Sequence, residues 1–445
     1  MVQPVVPPTQ SKQARTVLAA GLLGSSIEWY EFYIYGTAAT LVFSKLFFPS
    51  FDPLVATMLS LSTFAVGFIA RPVGSIIFGH FGDRIGRKSM LMITLILMGV
   101  ATFCTGLLPT YDQVGIWAPI MLVALRVLQG FSLGGEYGGA ILMTVEHAGP
   151  RRRGLFGAIV NTGVGWGLLM ATLAYLALSQ LPDEAFYTWG WRIPFLASII
   201  LVGVGLFIRL KIEESPEFEA VKKQGKVTER PVIEVLRRFP LRVVLMCMAY
   251  LSSGVTFYVA TVFSLSYGTL VVGVSRTLML TVVSISLCVS IPAMIFFGWF
   301  SDRYDKRKIF LYSTIAMMLV PYLWFSLVST GNQLLMQLGF IALILCHAAN
   351  YGTLPGFFSG VFPAYIRYSG LSLGYTLGAV LAGGFAPITA TYLLDVTHSW
   401  VAIAIYMSAV GVLSIIGTLA LKGRNVAEET LPIEPNDSKD SPVRA

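Results

Sequence analysis

Five charged side chains stand inside stretches otherwise nearly free of charge: Glu28, Glu31, Arg71, Arg126 and Glu136. An ionisable group at the centre of a membrane-crossing helix costs about 2.5–3.5 kcal/mol on insertion scales, so it faces protein or water and marks a path for ions or protons. The second part of the chain has no acid or base in comparable positions except His347. Glu28, Glu31 and Tyr35 are spaced i, i+3, i+7 and fall on one helical face. Counted along a helix from the ends of their apolar stretches, Glu28, Arg71 and Glu136 reach similar depths of roughly 12–18 Å. Burial favours the protonated form of a carboxyl, and a nearby arginine favours the charged form. One acid of this group is therefore expected to carry a proton whose movement is coupled to something else. Glu31 beside Arg126 is the first expected pairing and Glu28 beside Arg71 the second. The competing role for each is mechanical, an ion pair that only locks helices together.

A second set offers hydrogen bonds without charge. Tyr258, His347, Asn350, Tyr351 and Tyr375 lie in the second part of the chain, with Tyr35, Asn161 and Trp166 opposite them in the first. His347, Asn350 and Tyr351 are read as sharing a face. Such a ring of polar and aromatic groups can read hydroxyls or a carboxylate on a small solute, although any one aromatic among them can equally be packing. A third set is a turn. Residues 79–88 read GHFGDRIGRK, in which Gly82 and Gly86 permit a tight backbone and Asp83 can cap and pair across the end of a neighbouring helix. With Arg84, Arg87 and Lys88, and with the later echo Asp302 and Arg303, this set is expected to act as a gate.

These residues need helices in lipid to hold them. The chain has 445 residues, of which 55% are hydrophobic and 12% charged, against roughly 25% charged in an average soluble domain. Twelve apolar stretches recur, each near the ~20 residues that cross ~30 Å of hydrocarbon. They lie near 17–43, 54–79, 89–109, 117–147, 155–180, 191–210, 241–267, 277–299, 309–329, 333–361, 370–394 and 400–421. Lys and Arg crowd one set of loops, including Arg151, Arg152, Arg153, Lys306, Arg307 and Lys308, while the opposite loops carry only Lys45 and Arg276. Positive loops stay cytoplasmic, which places both termini inside. The net charge of +8 thus reads as topology and contact with anionic headgroups, not with nucleic acid.

The chain repeats itself. GHFGDRIGRK returns as GWFSDRYDKRK at 298–308, and PRRRG at 150–154 is echoed by PAYIRYSG at 363–370. The expected organisation is a segment 1–16 on the inner side, a six-helix bundle 17–210, a cytoplasmic linker 211–240, a second six-helix bundle 241–422 and a disordered tail 423–445. The fold class is an all-α membrane protein of about twelve spans in two pseudo-symmetric bundles, with a cavity between them near the midplane. Cys104, Cys247, Cys288 and Cys346 sit in apolar spans with no metal or redox spacing, and read as small buried hydrophobes. The opening residues lack the pattern of a cleavable signal peptide.

The residues also resemble a known family. GHFGDRIGRK after the second span and Arg126-Val-Leu-Gln129-Gly130 in the fourth are similar to signatures of the major facilitator superfamily. More narrowly, GSSIEWYEFYIYG (24–36), ARPVGSIIFGHFGDRIGRK (70–88), RVLQGFSLGGEYGGA (126–140), WGWRIPF (189–195) and EESPEFE (213–219) resemble its metabolite:proton symporter branch, which includes carriers of shikimate, 2-oxoglutarate, citrate, proline and betaine. Glu31 stands where that branch commonly has Asp, and Asp305 where the first copy of the repeat has Gly86. The resemblance implies proton-coupled uptake of a small organic acid or zwitterion by alternating access, in a bacterial inner membrane, by a monomer without a cofactor. A uniporter or a transport-related sensor of the same fold is the alternative.

Enzymatic readings fare poorly. Gly-x-Ser-x-Gly occurs around Ser132 and Ser372, but inside membrane spans and without the strand-to-helix elbow the motif needs. His80, His147, His347 and His398 are scattered, with no His-Glu-x-x-His. No phosphate-binding Gly-x4-Gly-Lys-Ser/Thr is present to fuel a pump. The arginines favour an organic anion over a neutral sugar, because a carboxylate can pair with one of them.

Overall fold

In lipid every backbone donor must be satisfied within its own segment, which leaves helices or closed barrels; these charge-poor stretches form helices. The computed structural model describes residues 8–51, 53–85, 87–134, 136–148, 152–210, 231–363 and 366–421, and no strand occurs among them. The first half holds α1 (Pro8–Ala38), α2 (Pro53–Ile85), α3 (Arg87–Leu107), α4 (Trp117–Leu133), α5 (Glu136–His147), α6 (Arg153–Leu178) and α7 (Ile193–Leu210). The second holds α8 (Pro240–Tyr258), α9 (Arg276–Ser301), α10 (Lys306–Val328), α11 (Gln333–Phe358), α12 (Arg367–Ala379), α13 (Ala386–Thr397) and α14 (Trp400–Ala420). Ten helical segments among the described residues are long and apolar enough to cross a membrane. Charge-bearing α1 and the broken pair α4–α5 complete the twelve crossings. A short helix, Pro231–Arg238, lies between the halves within the expected linker.

The repeat is structural as well as textual. Pro72 lies inside α2 and Pro292 inside α9, the second helix of each half. A π turn follows α1 at Ala39–Phe43 and another follows α8 at Val259–Phe263, each in the opening span of its half.

Glycine sets the closest approaches. A Cβ on Gly130 or Gly134 would run into the backbone of α2 at Gly67 and Arg71, so α2 and α4 touch main chain to main chain. Within the second half, a Cβ on Gly352 of α11 would sit 2.5 Å from the Met294 carbonyl of α9; between the halves, one on Gly154 of α6 would sit 2.7 Å from the Gly298 carbonyl. Here α6 is pressed against α9 and α11 on the side of the basic loops, called the basic face below. Large apolar side chains such as Ile200, Phe207, Leu241 and Leu319 point outward, as a lipid solvent requires. Of the four free cysteines only Cys247 is buried; Cys104 and Cys346 are half-buried and Cys288 is exposed on the outer surface. Arg192 is a third basic residue on the opposite face. It donates to the Gly106 carbonyl (2.8 Å) and the Leu108 carbonyl (2.6 Å), closing the end of α3.

Candidate functional site

The first-half charges form one buried group. Glu31 and Arg126 are both 0% exposed, yet they are not joined directly as expected; two neutral side chains stand between them. Arg126 Nη1 donates to Gln129 Oε1 at 3.0 Å, Gln129 Nε2 donates to Thr102 Oγ1 at 2.8 Å, and Thr102 Oγ1 lies 3.4 Å from Glu31 Oε2. Gln129 follows Arg126 by three residues on one face of α4, and Thr102 is presented by α3. The guanidinium is held off the acid by aromatic rings, with its carbon 4.3 Å from the centre of Phe32, 4.2 Å from Tyr35 and 4.8 Å from Phe64. Gly67 makes room, since a Cβ there would lie 2.6 Å from Arg126 Nε.

Glu28 has a different neighbour from the one anticipated. Its main electrostatic partner is Arg209 of α7, with Arg71 second, and Arg209 also acts on Glu31. Arg209 is buried, donates to the Leu91 carbonyl, and packs over Gly24, where a Cβ would lie 2.9 Å from its Nη2. At the end of the sixth span it reads in sequence as a topology signal, which is why it escaped notice. Arg71 lies over Phe68 (4.3 Å), Phe32 (4.5 Å) and Trp29 (5.5 Å). The side chain of Glu136 lies outside the described residues.

Beside this group the two halves close on a chamber of only about 10 Å³, lined by Trp29, Tyr33 and Val164 from the first half and by Tyr250, Phe257, Tyr258, His347 and Tyr351 from the second. His347 stacks on Tyr351 at 5.3 Å and leans on Phe257 at 5.0 Å, and its Nδ1 has no hydrogen-bond partner. Tyr375 supports the wall from behind: its hydroxyl is 3.2 Å from that of Tyr351, and its ring meets Tyr250 edge-on at 4.7 Å. Arg71 interacts electrostatically with Tyr250 and Tyr258 of this wall. Arg71 and Arg126 each keep Nε and Nη2 without a hydrogen-bond partner. Those two atoms form the edge of a guanidinium that grips a carboxylate in two parallel bonds. A buried charged donor left unpaired costs upward of ~1–3 kcal/mol, so two such edges in one buried group require a reason.

Four expected solute contacts lie off this wall. Asn350 donates to the Phe310 carbonyl, Ser313 and Thr314 at 3.0–3.2 Å and ties α11 to α10. Residues 350 and 351 are about 100° apart on a helix, so the face of His347 continues to Tyr351 and leaves Asn350 behind. Asn161 donates across the halves, Nδ2 to the Tyr351 carbonyl at 2.9 Å, and its Oδ1 has no hydrogen-bond partner. Trp166 is 42% exposed and outside the chamber; Val164 takes the inward position on α6. Tyr35 donates to Thr63 at 2.7 Å and lies under Arg126. Trp29 and Tyr33, passed over in the sequence, are four apart and line the wall; the helical period alone would have paired them.

The two ends of the molecule differ. On the basic face, the Asp302 carboxylate accepts from the backbone N–H groups of Gly154 (2.7 Å) and Leu155 (2.9 Å), capping α6 from the other half, with Lys306 at 3.8 Å. Arg303 takes no part: it is exposed and lies 3.6 Å over Trp299 of its own half. Lys88 donates to the Leu210 carbonyl at 3.1 Å, a tie within the first half. Gly86, the side chains of Asp83, Arg84 and Arg87, and the surroundings of Gly82 lie outside the described residues. On the opposite face a vestibule of about 820 Å³ opens between the halves, lined by Thr40, Ser44, Lys45, Tyr187, Thr269 and Arg276 among others.

The Major Facilitator Superfamily model matches residues 16–373 and 270–444. The shikimate transporter of Escherichia coli K12 is 38% identical over 420 residues, covering 92% of this chain and 95% of that one. The E. coli K12 inner membrane metabolite transport protein YhjE is 37% identical over 412 residues, covering 91% and 93%. Among solved structures, the proton:xylose symporter XylE bound to 6-bromo-6-deoxy-D-glucose superposes with a TM-score of 0.73 at 15% identity, covering 92% of this chain and 95% of that one, a likeness of fold.

Proposed function

Since this chain belongs to the major facilitator superfamily and is a multi-pass metabolite transporter, not an enzyme, we propose that it is a proton-coupled symporter of a small organic acid or zwitterionic metabolite, shikimate or a related carboxylate among the candidates. It works as a monomer by alternating access, without a cofactor, in a bacterial inner membrane with the basic face and both termini toward the cytoplasm. The proton gradient drives it.

The observation that carries this reading is the buried line from Arg126 through Gln129 and Thr102 to Glu31, beside two arginines with open edges. The Thr102 hydroxyl has one hydrogen and two acceptors in reach, the Met98 carbonyl at 2.9 Å and Glu31 at 3.4 Å. With its hydrogen on the nearer, and with Gln129 donating to it, the hydroxyl oxygen still has capacity to accept from a protonated Glu31. A solute carboxylate on the Arg126 edge cancels that charge, so anion and proton are retained together. When the anion leaves, the positive charge acts again through the line and the proton follows. Binding of each favours binding of the other by the same factor, which is what obligatory symport needs. Closing Asp302 onto α6 holds the cytoplasmic side shut while the vestibule is open.

Proteoliposomes with an imposed pH gradient test this, using a panel of carboxylates and zwitterions with and without protonophore. Glu31→Gln is expected to lose gradient-driven accumulation yet keep solute exchange. Accumulation unchanged in that variant removes Glu31 from the role, and uptake indifferent to the gradient in the parent protein makes it a facilitator.

A further inference from the structure

The vestibule contains a charge arrangement that the central site does not use. Lys45 comes from the first half and Arg276 from the second, and they converge on one atom. Lys45 Nζ donates to the Tyr187 hydroxyl at 2.9 Å, and Arg276 Nη2 donates to the same oxygen at 3.3 Å. The ammonium also lies 4.5 Å from the centre of the Tyr187 ring, and the guanidinium 5.5 Å from that of Phe186. A phenol oxygen can accept two hydrogen bonds but cancels neither charge. Among the described residues neither cation is ion-paired with a carboxylate, and Asp183 and Glu184 on the same short helix as Tyr187 are exposed. The remaining basic side chain of this face, Arg192, is spent on carbonyls. Two like charges are thus brought together from opposite halves at the wall of a water-filled opening, where mutual repulsion works against any closing of the mouth.

We propose that Lys45, Arg276 and the Tyr187 hydroxyl form a peripheral anion site. It takes a small carboxylate before that solute reaches the chamber, and by cancelling the repulsion it lets the mouth close behind the solute. The occupant is a free carboxylate, not a lipid phosphate, because the three groups line the space between the halves together with Thr40, Ser44 and Thr269. The order of events rests on the transport reading above; the binding of an anion does not.

The test labels Lys45 with a membrane-impermeant amine-reactive ester in nanodiscs of zwitterionic lipid, and follows the Lys45 peptide by mass spectrometry. Succinate is the probe, and potassium chloride at equal ionic strength the control. Succinate is expected to slow labelling by about threefold, as two-thirds occupancy demands. Arg276→Gln should abolish the protection, and Arg276→Lys should keep it, which shows that loss in the first variant is loss of charge and not of fold. Equal slowing by chloride, protection that survives Arg276→Gln, or protection that appears only with anionic lipid each overturns the site. Protection in a protein that moves no carboxylate leaves the site standing and removes the transport reading; transport without protection does the reverse.

Discussion

The two halves share a frame but not an interior. Pro72 and Pro292 both lie inside the second helix of their half, one residue apart in the register of the repeat, yet the residue before the first is Arg71 and before the second is Ile291. Glu28, Glu31, Arg71, Arg126 and Arg209 are all buried in the first half, whereas the second presents Tyr250, Tyr258, His347, Tyr351 and Tyr375. Each intramembrane charge is expensive to insert, and gathering them lets them stabilise one another. The difference teaches a division of labour in which the first bundle handles charge and the second reads shape and hydroxyls.

The strongest way to break this division is Arg126→Lys. A lysine keeps the charge but loses the two-bond edge and the ring stacking, so initial uptake of the best carboxylate in the panel should fall by about a hundredfold. Matched reconstitution would measure it, and uptake within threefold of the parent would show that the edge is idle. Next is the reverse transplant, Ile291→Arg. Ile291 faces Gly165, whose Cβ would lie 3.0 Å from it, and no buried acid of the second half waits for a cation; the folded yield after detergent extraction should drop by roughly tenfold. A full yield would mean that the second bundle tolerates charge and that the asymmetry has another origin.

Smaller effects sharpen the contrast. Gln129→Leu cuts the line between Arg126 and Glu31, and should lower gradient-driven accumulation by roughly fivefold while solute exchange persists. His347→Asn should instead raise KM for hydroxy acids by about threefold relative to simple carboxylates, with the proton-to-solute ratio unchanged. The same change in both quantities for both variants would dissolve the distinction between the halves. Smallest of all, Arg303→Gln should leave uptake within about twofold, because an exposed cation resting on its own helix's Trp299 contributes little.

Much of the frame was legible beforehand. Lipid demands long apolar helices, so the twelve spans show in composition alone, and the repeated Asp-Arg turn grouped Asp302 with an expected gate. The interior was legible by type but not by partner. Glu31 and Arg126 were rightly singled out as buried charges, but Thr102, an ordinary threonine in an apolar span, gives no sign that it stands between them. Asn350 and Tyr351 are adjacent in the chain and face different helices, a choice made by what α10 and the first half offer. Arg209 looks like any basic residue at a span's end until α1 brings Glu28 and Gly24 against it.

The matched π turns at Ala39–Phe43 and Val259–Phe263 carry a mechanical consequence. Each stores one surplus residue in its rod, much as a dislocation is stored in a crystal row, and the second rod carries a further π stretch at Tyr267–Val272. Letting that surplus migrate swivels only the stretch it crosses, by about 100°, without rupturing the rod. Side chains along that stretch of the two opening spans can therefore be re-aimed while Glu31 and Tyr250, deeper along the same rods, stay still.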